Sequence, residues 1–286
     1  MLQSFITGLG NYEFLRNALM TSIIVGIVSG VIGSFIVLRG MSLMGDAISH
    51  AVLPGVAISY ILGINYFIGA SIFGVLTAGI IGFITQKSKI KSDTAIGVVF
   101  SSFFALGIIL ISFAKSSTDL YHILFGNVLA VRDSDIWITC GVGVLVLLFV
   151  GLFYKELKLT SFDPTMARAT GLSTNFFHYA LMFLLTLVAV SALQTVGTVL
   201  VIAMLITPAA TAYLLTNKLN KMIAISVLIS LFASIVGLFL SFSFNLASGA
   251  TVVLTAASVF LLAFLFSPKK GILIKQKEVS TVEENM

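Results

Sequence analysis

Apolar residues in this chain come in blocks of about twenty, the length that carries an α-helix across the hydrocarbon of a bilayer. The first block runs from about Asn17 to Leu38 and the second from about Leu43 to Leu62, where Gly63-Ile64-Asn65 makes a tight turn. A third, Tyr66 to Thr85, stops at Gln86-Lys87-Ser88-Lys89-Ile90-Lys91. Ser92-Asp93-Thr94 caps a fourth, Ala95 to Ala114, and Ile136 to Tyr154 is the fifth. Between Phe176 and Thr216 there is no Asp, Glu, Lys or Arg. About 40 residues at about 1.5 Å each exceed one crossing, so this stretch must fold back, and Gln194-Thr195-Val196-Gly197-Thr198 is its natural turn. Met222 to Phe242 and Gly249 to Phe266 complete the series, the last stopped by Ser267-Pro268-Lys269-Lys270. The pattern predicts an all-α polytopic membrane protein of eight or nine transmembrane helices, nine when both halves of 176–216 are counted.

The stretches between the blocks carry their own signals. Residues 1–15 mix apolar and polar positions, with Gly8, Gly10 and Asn11 against any long helix, and read as an interfacial segment. Lys115 to Asp135, with Asp119, His122, Gly126, Asn127, Arg132 and Asp133, is less apolar and reads as a re-entrant or interfacial helix. Lys155 to Asn175 is the longest polar stretch between spans. Within it, Asp163-Pro164-Thr165-Met166-Ala167-Arg168-Ala169-Thr170-Gly171 has the signature of a short helix: Asp163 at the N-cap, Pro164 at the first position, Gly171 at the stop. A defined helix outside the membrane is the form a docking element takes. Residues 267–286 are a polar tail. Nothing marks a second domain, so 1–286 reads as one transmembrane domain with 155–175 as its docking loop.

Composition excludes other classes. The chain is 58% hydrophobic and 9% charged, too few charges to cover a soluble domain of this length. The single cysteine, Cys140, excludes an internal disulfide and a cysteine-rich metal site. The net charge of +5 speaks to orientation, not to nucleic acid. Thirteen of the sixteen Lys and Arg residues fall in the loops after spans 1, 3, 5, 7 and 9, which makes that side cytoplasmic. The 155–175 loop and the 267–286 tail are then inside, and the N-terminus outside.

Candidate chemistry gathers in Arg39-Gly40-Met41-Ser42-Leu43-Met44-Gly45-Asp46-Ala47-Ile48-Ser49-His50-Ala51-Val52-Leu53-Pro54-Gly55. Asp46 is the one acidic residue set within an apolar block. A charge in hydrocarbon costs about 2.5–3.5 kcal/mol on insertion scales, so a functional site is the default expectation for it. His50 follows four residues later, on the same helical face and about 6 Å along the axis. A carboxylate and an imidazole so placed can hold a divalent cation. The same pair can also be a polar cross-link within the bundle, and Asp46, about a turn into its span, can cap the helix. Asp119 and His122, on the outer side, are either a cation entrance or a solvated loop. His178 opens span 6 as an interfacial residue. Met41, Met44, Met166, Met182, Met204 and Met222 are scattered, as packing residues are, and Gly26-x-x-x-Gly30 marks a close-packing face. The chain has no G-x-x-x-x-G-K-S/T, no H-E-x-x-H and no G-x-S-x-G, so ATP-driven transport would need its hydrolysing subunit on another polypeptide.

The Arg39–Gly55 stretch resembles the hallmark segment of the permease subunits of bacterial ABC importers for manganese, zinc and iron. Asp93-Thr94-Ala95-Ile96-Gly97, Asp119-Leu120 with Leu124-Phe125-Gly126, Phe162-Asp163-Pro164 through Ala167 to Gly171-Leu172, and Thr198 to Pro208 fit as well, so the resemblance spans about residue 14 to about residue 267. It implies a fold similar to the vitamin B12 and iron–siderophore (type II) importer permeases, with one fewer full span at the N-terminus. It also implies a homodimer around a central path in the bacterial plasma membrane. Two cytoplasmic ATP-binding subunits would dock on it, and an extracellular solute-binding protein would deliver the ion. The family's cation ligands map onto Asp46 and His50. Its coupling helix maps onto Asp163–Gly171, with Asp163, Pro164, Ala167, Arg168 and Gly171 serving the ATPase contact. No cofactor is expected to stay bound: Mn²⁺, with Zn²⁺ or Fe²⁺ as alternatives, is cargo, and ATP sits on the partner. Two other classes compete. A stand-alone ion-coupled metal transporter predicts more intramembrane acids and usually no docking helix. An intramembrane metalloenzyme needs a third protein ligand and a catalytic base.

Overall fold

Tyr12, in extended backbone, separates a short amphipathic helix, α1 (Leu2–Asn11), from the first membrane-length helix, α2 (Glu13–Leu38). The computed structural model describes residues 2–113, 131 and 133–267, and among these the chain forms thirteen helices and no strand. Gly40 stops α2. It takes φ +65°, and the N–H groups of Gly40 and Met41 reach back to the carbonyls of Val37 at 3.2 Å and Ile36 at 3.0 Å, a double closure that ends a helix and turns the chain. The second span exists but is broken at Val52 into α3 (Ser42–Ala51) and α4 (Leu53–Leu62), because Pro54 has no N–H to offer the His50 carbonyl. The side chain of Asn65 accepts from the Phe67 N–H at 2.9 Å and caps α5 (Tyr66–Lys87). α6 (Ser92–Phe113) begins at Ser92 itself, three residues earlier than its apolar block. The re-entrant or interfacial helix expected after it, with Asp119 and His122, lies outside the described residues, as does the tail from 268 onward.

α7 (Asp133–Leu152) is the fifth span. The polar 155–175 stretch holds two helices where one was expected: α8 (Tyr154–Phe162) and α9 (Pro164–Ala169). α8 folds because Leu157 and Thr160 bury a short stripe against the bundle. Four long helices follow, α10 (Thr174–Val196), α11 (Thr198–Leu215), α12 (Leu219–Phe244) and α13 (Ser248–Phe266). The expected break at 194–198 is made by one residue, Gly197, which ends α10 and opens α11. Among the described residues, eight segments are long and apolar enough to cross a membrane, with α3 and α4 counted together, and Leu200–Leu215 is a shorter apolar helix.

The most extensive helix contact is α2 against α12, with α11, α13, α7 and α10 around them. Small residues bring these helices close. Ser230 and Ser234 lie beside Gly26, and the Val227 backbone beside Gly30, so the glycine face of the first span is the packing face its spacing predicts. A Cβ built on Gly33 would sit 2.0 Å from the Leu205 carbonyl oxygen of α11. At the N-terminus, Phe5 of α1 sets its ring edge-on to Phe239 and Phe242 of α12, 5.5 and 5.8 Å away.

Polar contacts gather the helix ends into two faces. At one, Arg39 after α2 donates to Thr160 and Ser161 of α8. Gln86 of α5 lines a cavity of about 480 Å³ with Arg168 and Ser173–Asn175. The Tyr154 hydroxyl donates to Asn220, and Ser267 Oγ donates to the Leu214 carbonyl at 2.7 Å. The ends of spans 1, 3, 5, 7 and 9 therefore meet at one basic face, with Lys87, Lys155, Lys158, Arg168, Lys218 and Lys221. At the other face, Asn17 Nδ2 donates to Asp133 Oδ1 at 2.8 Å, and Gly249 lies beside Leu200. α11 thus runs from one face to the other alongside α13, and 176–216 does fold back.

Candidate metal site

α3 is enclosed by α5, α6, α10 and α11, which bury Met44, Ala47, Ile48, Ser49 and Ala51. Leu43, Asp46 and His50 occupy its open side, the spacing of one helical face. Asp46 Oδ1 and His50 Nε2 are 3.5 Å apart, with 47% of the Asp46 side chain and 28% of the His50 side chain exposed. Two donors each about 2.1 Å from one ion lie about 3.0–3.4 Å apart at octahedral or tetrahedral angles. The pair is therefore spaced to chelate with little movement. Asp46 does not cap α3: the N-cap position is Met41, and Asp46 lies beyond the first turn.

α6 walls the imidazole. The rings of Phe100 and Phe104 stand edge-on to His50 at 5.7 and 5.8 Å and stack on each other at 5.7 Å. They limit the ring's orientation and keep one side of it dry. Sequence reasoning missed both, because an i, i+4 aromatic pair in an apolar block looks like any lipid-facing pair. Among the described residues no group of three His, Cys, Asp or Glu side chains could hold an ion. A first-row cation takes four to six donors, so the remainder must come from water, main chain, hydroxyls or another polypeptide. Asp119 and His122 lie outside the described residues.

The short helix expected between Asp163 and Gly171 forms with its signals in place. Asp163 Oδ1 accepts from the N–H groups of Thr165 at 3.1 Å and Met166 at 2.8 Å, and Pro164 opens α9. Gly171 takes φ +82°. The N–H groups of Gly171 and Leu172 return to the carbonyls of Arg168 at 3.0 Å and Ala167 at 2.9 Å, the same double closure as at Gly40. Ala167 is fully buried and seats α9 on α8 and α10. Arg168 Nε donates to Thr174 Oγ1 at 3.3 Å, while Phe162 and Met166 stay exposed. Burial lowers the Arg39 guanidinium to about 10, so it stays cationic at neutral pH. His178 lies in the second turn of α10, its ring edge-on to Tyr179 at 5.8 Å.

Residues 11–267 match the ABC 3 transport family. The chain is similar to the manganese transport system membrane protein MntC of Listeria monocytogenes, 67% identical over 273 residues that cover 96% of this chain and 98% of that one. Among solved structures, it is similar to PsaBC from Streptococcus pneumoniae in complex with Fab, at 61% identity and a TM-score of 0.86, with 94% of this chain and 98% of that chain covered. A metal-chelate type ABC transporter in an inward-facing conformation shares the fold at 18% identity and a TM-score of 0.69, with 87% of this chain and 84% of that chain covered.

Proposed function

The chain belongs to the ABC 3 transport family, and we propose that it is the multi-pass permease of an ATP-driven importer that carries manganese into the bacterial cytoplasm. One observation carries the reading. A carboxylate and an imidazole stand 3.5 Å apart on the open side of an otherwise enclosed helix, in a chain 67% identical to a manganese transport protein. An ionised carboxylate avoids lipid, and among the described residues nearly half of the Asp46 side chain is left uncovered. It faces a water-filled path, and a homodimer with two α3 helices lining that path provides one.

The Asp46 carboxylate and the neutral His50 imidazole take the ion from an outward mouth, where an extracellular solute-binding protein delivers it. Oxygen and nitrogen donors without thiolate suit Mn²⁺, but the affinity order of first-row metals favours Zn²⁺ at any such site. Selection therefore rests on delivery and on coordination number as well as on the pair. ATP hydrolysis belongs to a separate subunit, since the chain carries no phosphate-binding loop. That subunit docks on α9 at the basic, cytoplasmic face, and its motion opens the path inward.

Equilibrium titration of the purified complex with Mn²⁺ tests the site. Loss of a supporting group around a bound metal already costs about tenfold to a hundredfold in affinity, so Asp46→Asn, which keeps the side chain's size, should lose about tenfold or more. Equal affinity in the wild type and an assembled Asp46→Asn complex would remove the basis for the reading.

A further inference from the structure

The turn between α2 and α3 is tied to the end of α8 by one half-buried cation. Arg39 lies three residues before α3 begins at Ser42. Its Nε donates to Ser161 Oγ at 2.9 Å and its Nη2 to Thr160 Oγ1 at 2.7 Å. Both hydroxyls sit in the last turn of α8, and Asp163, which caps α9, follows directly after that helix. The hydroxyl protons are already committed: Thr160 donates to the Glu156 carbonyl at 2.8 Å and Ser161 to the Leu157 carbonyl at 2.6 Å. Their lone pairs are therefore left for Arg39, and the contact has one hydrogen-bonding direction.

Among the described residues no carboxylate pairs with Arg39. A guanidinium held by neutral hydroxyls gains less than one held by a carboxylate, so stability alone is a poor reason for the arrangement. What the planar fork supplies is orientation, since two nitrogens of one rigid group meet two adjacent side chains. α8 and α9 pack on each other, whereas α3 shares no extensive contact with either. α10 touches α3, α8 and α9 and offers a second connection through a membrane helix.

We propose that Arg39 is a positioning residue that passes displacement of the α8–α9 unit to α3, and so couples the docked ATPase to the Asp46–His50 pair. This rests on the reading of α9 as the ATPase contact. The decisive quantity is Mn²⁺ taken up per ATP hydrolysed, measured in liposomes on the complex of this chain with its native ATPase subunit, beside equilibrium Mn²⁺ binding. Arg39→Ala should lower ions per ATP about tenfold. Mn²⁺ affinity and ATP hydrolysis should stay within about twofold of wild type, because neither site is touched. Thr160→Val combined with Ser161→Ala should reproduce the loss from the other side of the contact, and adding Arg39→Ala to that pair should lower it no further. Arg39→Lys keeps the charge without the fork and should restore only part of the coupling.

Unchanged ions per ATP in Arg39→Ala, beside an active wild type, would overturn the proposal. So would a fall in Mn²⁺ affinity that matches the fall in uptake, the mark of a merely structural residue. Should Arg39→Ala fail to assemble, the Thr160→Val and Ser161→Ala double variant decides in the same two directions. Absence of Mn²⁺ uptake by the wild-type complex would overturn the functional reading itself, and this proposal with it.

Discussion

Asp46 is chemically conspicuous because, among the described residues, it has one charged partner and keeps 47% of its side chain exposed. His50 is that partner, at 3.5 Å, and the aromatic wall of Phe100 and Phe104 restrains only the imidazole. A polar cross-link would survive replacement of the carboxylate by an amide, since Asn still accepts a hydrogen bond. A cation site would not. His50→Ala removes the nitrogen donor and leaves space, and it should reduce manganese uptake about tenfold or more while the complex still assembles. Radiomanganese uptake in cells, with the assembled complex quantified alongside, checks it; wild-type uptake by His50→Ala would count against ligation.

At the scale of the helix, two features carry testable weight. α9 is held by the Asp163 cap and the Gly171 stop. Asp163→Ala should cost the local helix about 1 kcal/mol, and Gly171→Leu forces a side chain into left-handed backbone at about 1–2 kcal/mol. Both should weaken stimulation of the partner ATPase while the permease stays folded; full stimulation in both variants would show that α9 is not the docking element. Gly33 is different in kind. There is no room for a Cβ between α2 and the Leu205 carbonyl, so Gly33→Val must push α2 from α11 and should destabilise the fold by about 1–3 kcal/mol, read as a lowered melting temperature in detergent.

These two helices also show what a sequence can disclose. The α9 cap and stop are local chemistry within nine residues, and the apolar blocks are local composition, so both were legible along with Asp46 and His50. α8 was not, because only Leu157 and Thr160 are buried amid Lys155, Glu156 and Lys158. Pro54 was visible, yet the apolar run continues across it and hides the break at Val52. The Arg39 contacts join positions more than a hundred residues apart, and no local pattern announces them.

At the scale of the molecule, the ends of five spans meet at one basic face, as the distribution of Lys and Arg requires if that face is cytoplasmic. Lys158→Cys should then be shielded from an impermeant thiol reagent in intact cells, and Asn65→Cys, exposed after α4, should be labelled; the opposite pattern would invert the orientation. A membrane chain with a metal-spaced pair in one span and a capped helix at its basic face is built to join an ion path to an external motor. Manganese uptake into liposomes that hold this chain with its ATPase subunit tests that join most directly. Uptake should require ATP on the subunit's side and should fall about tenfold or more when Asp46→Asn is carried in an otherwise assembled complex. Uptake that proceeds without ATP, or that Asp46→Asn leaves intact, would contradict it.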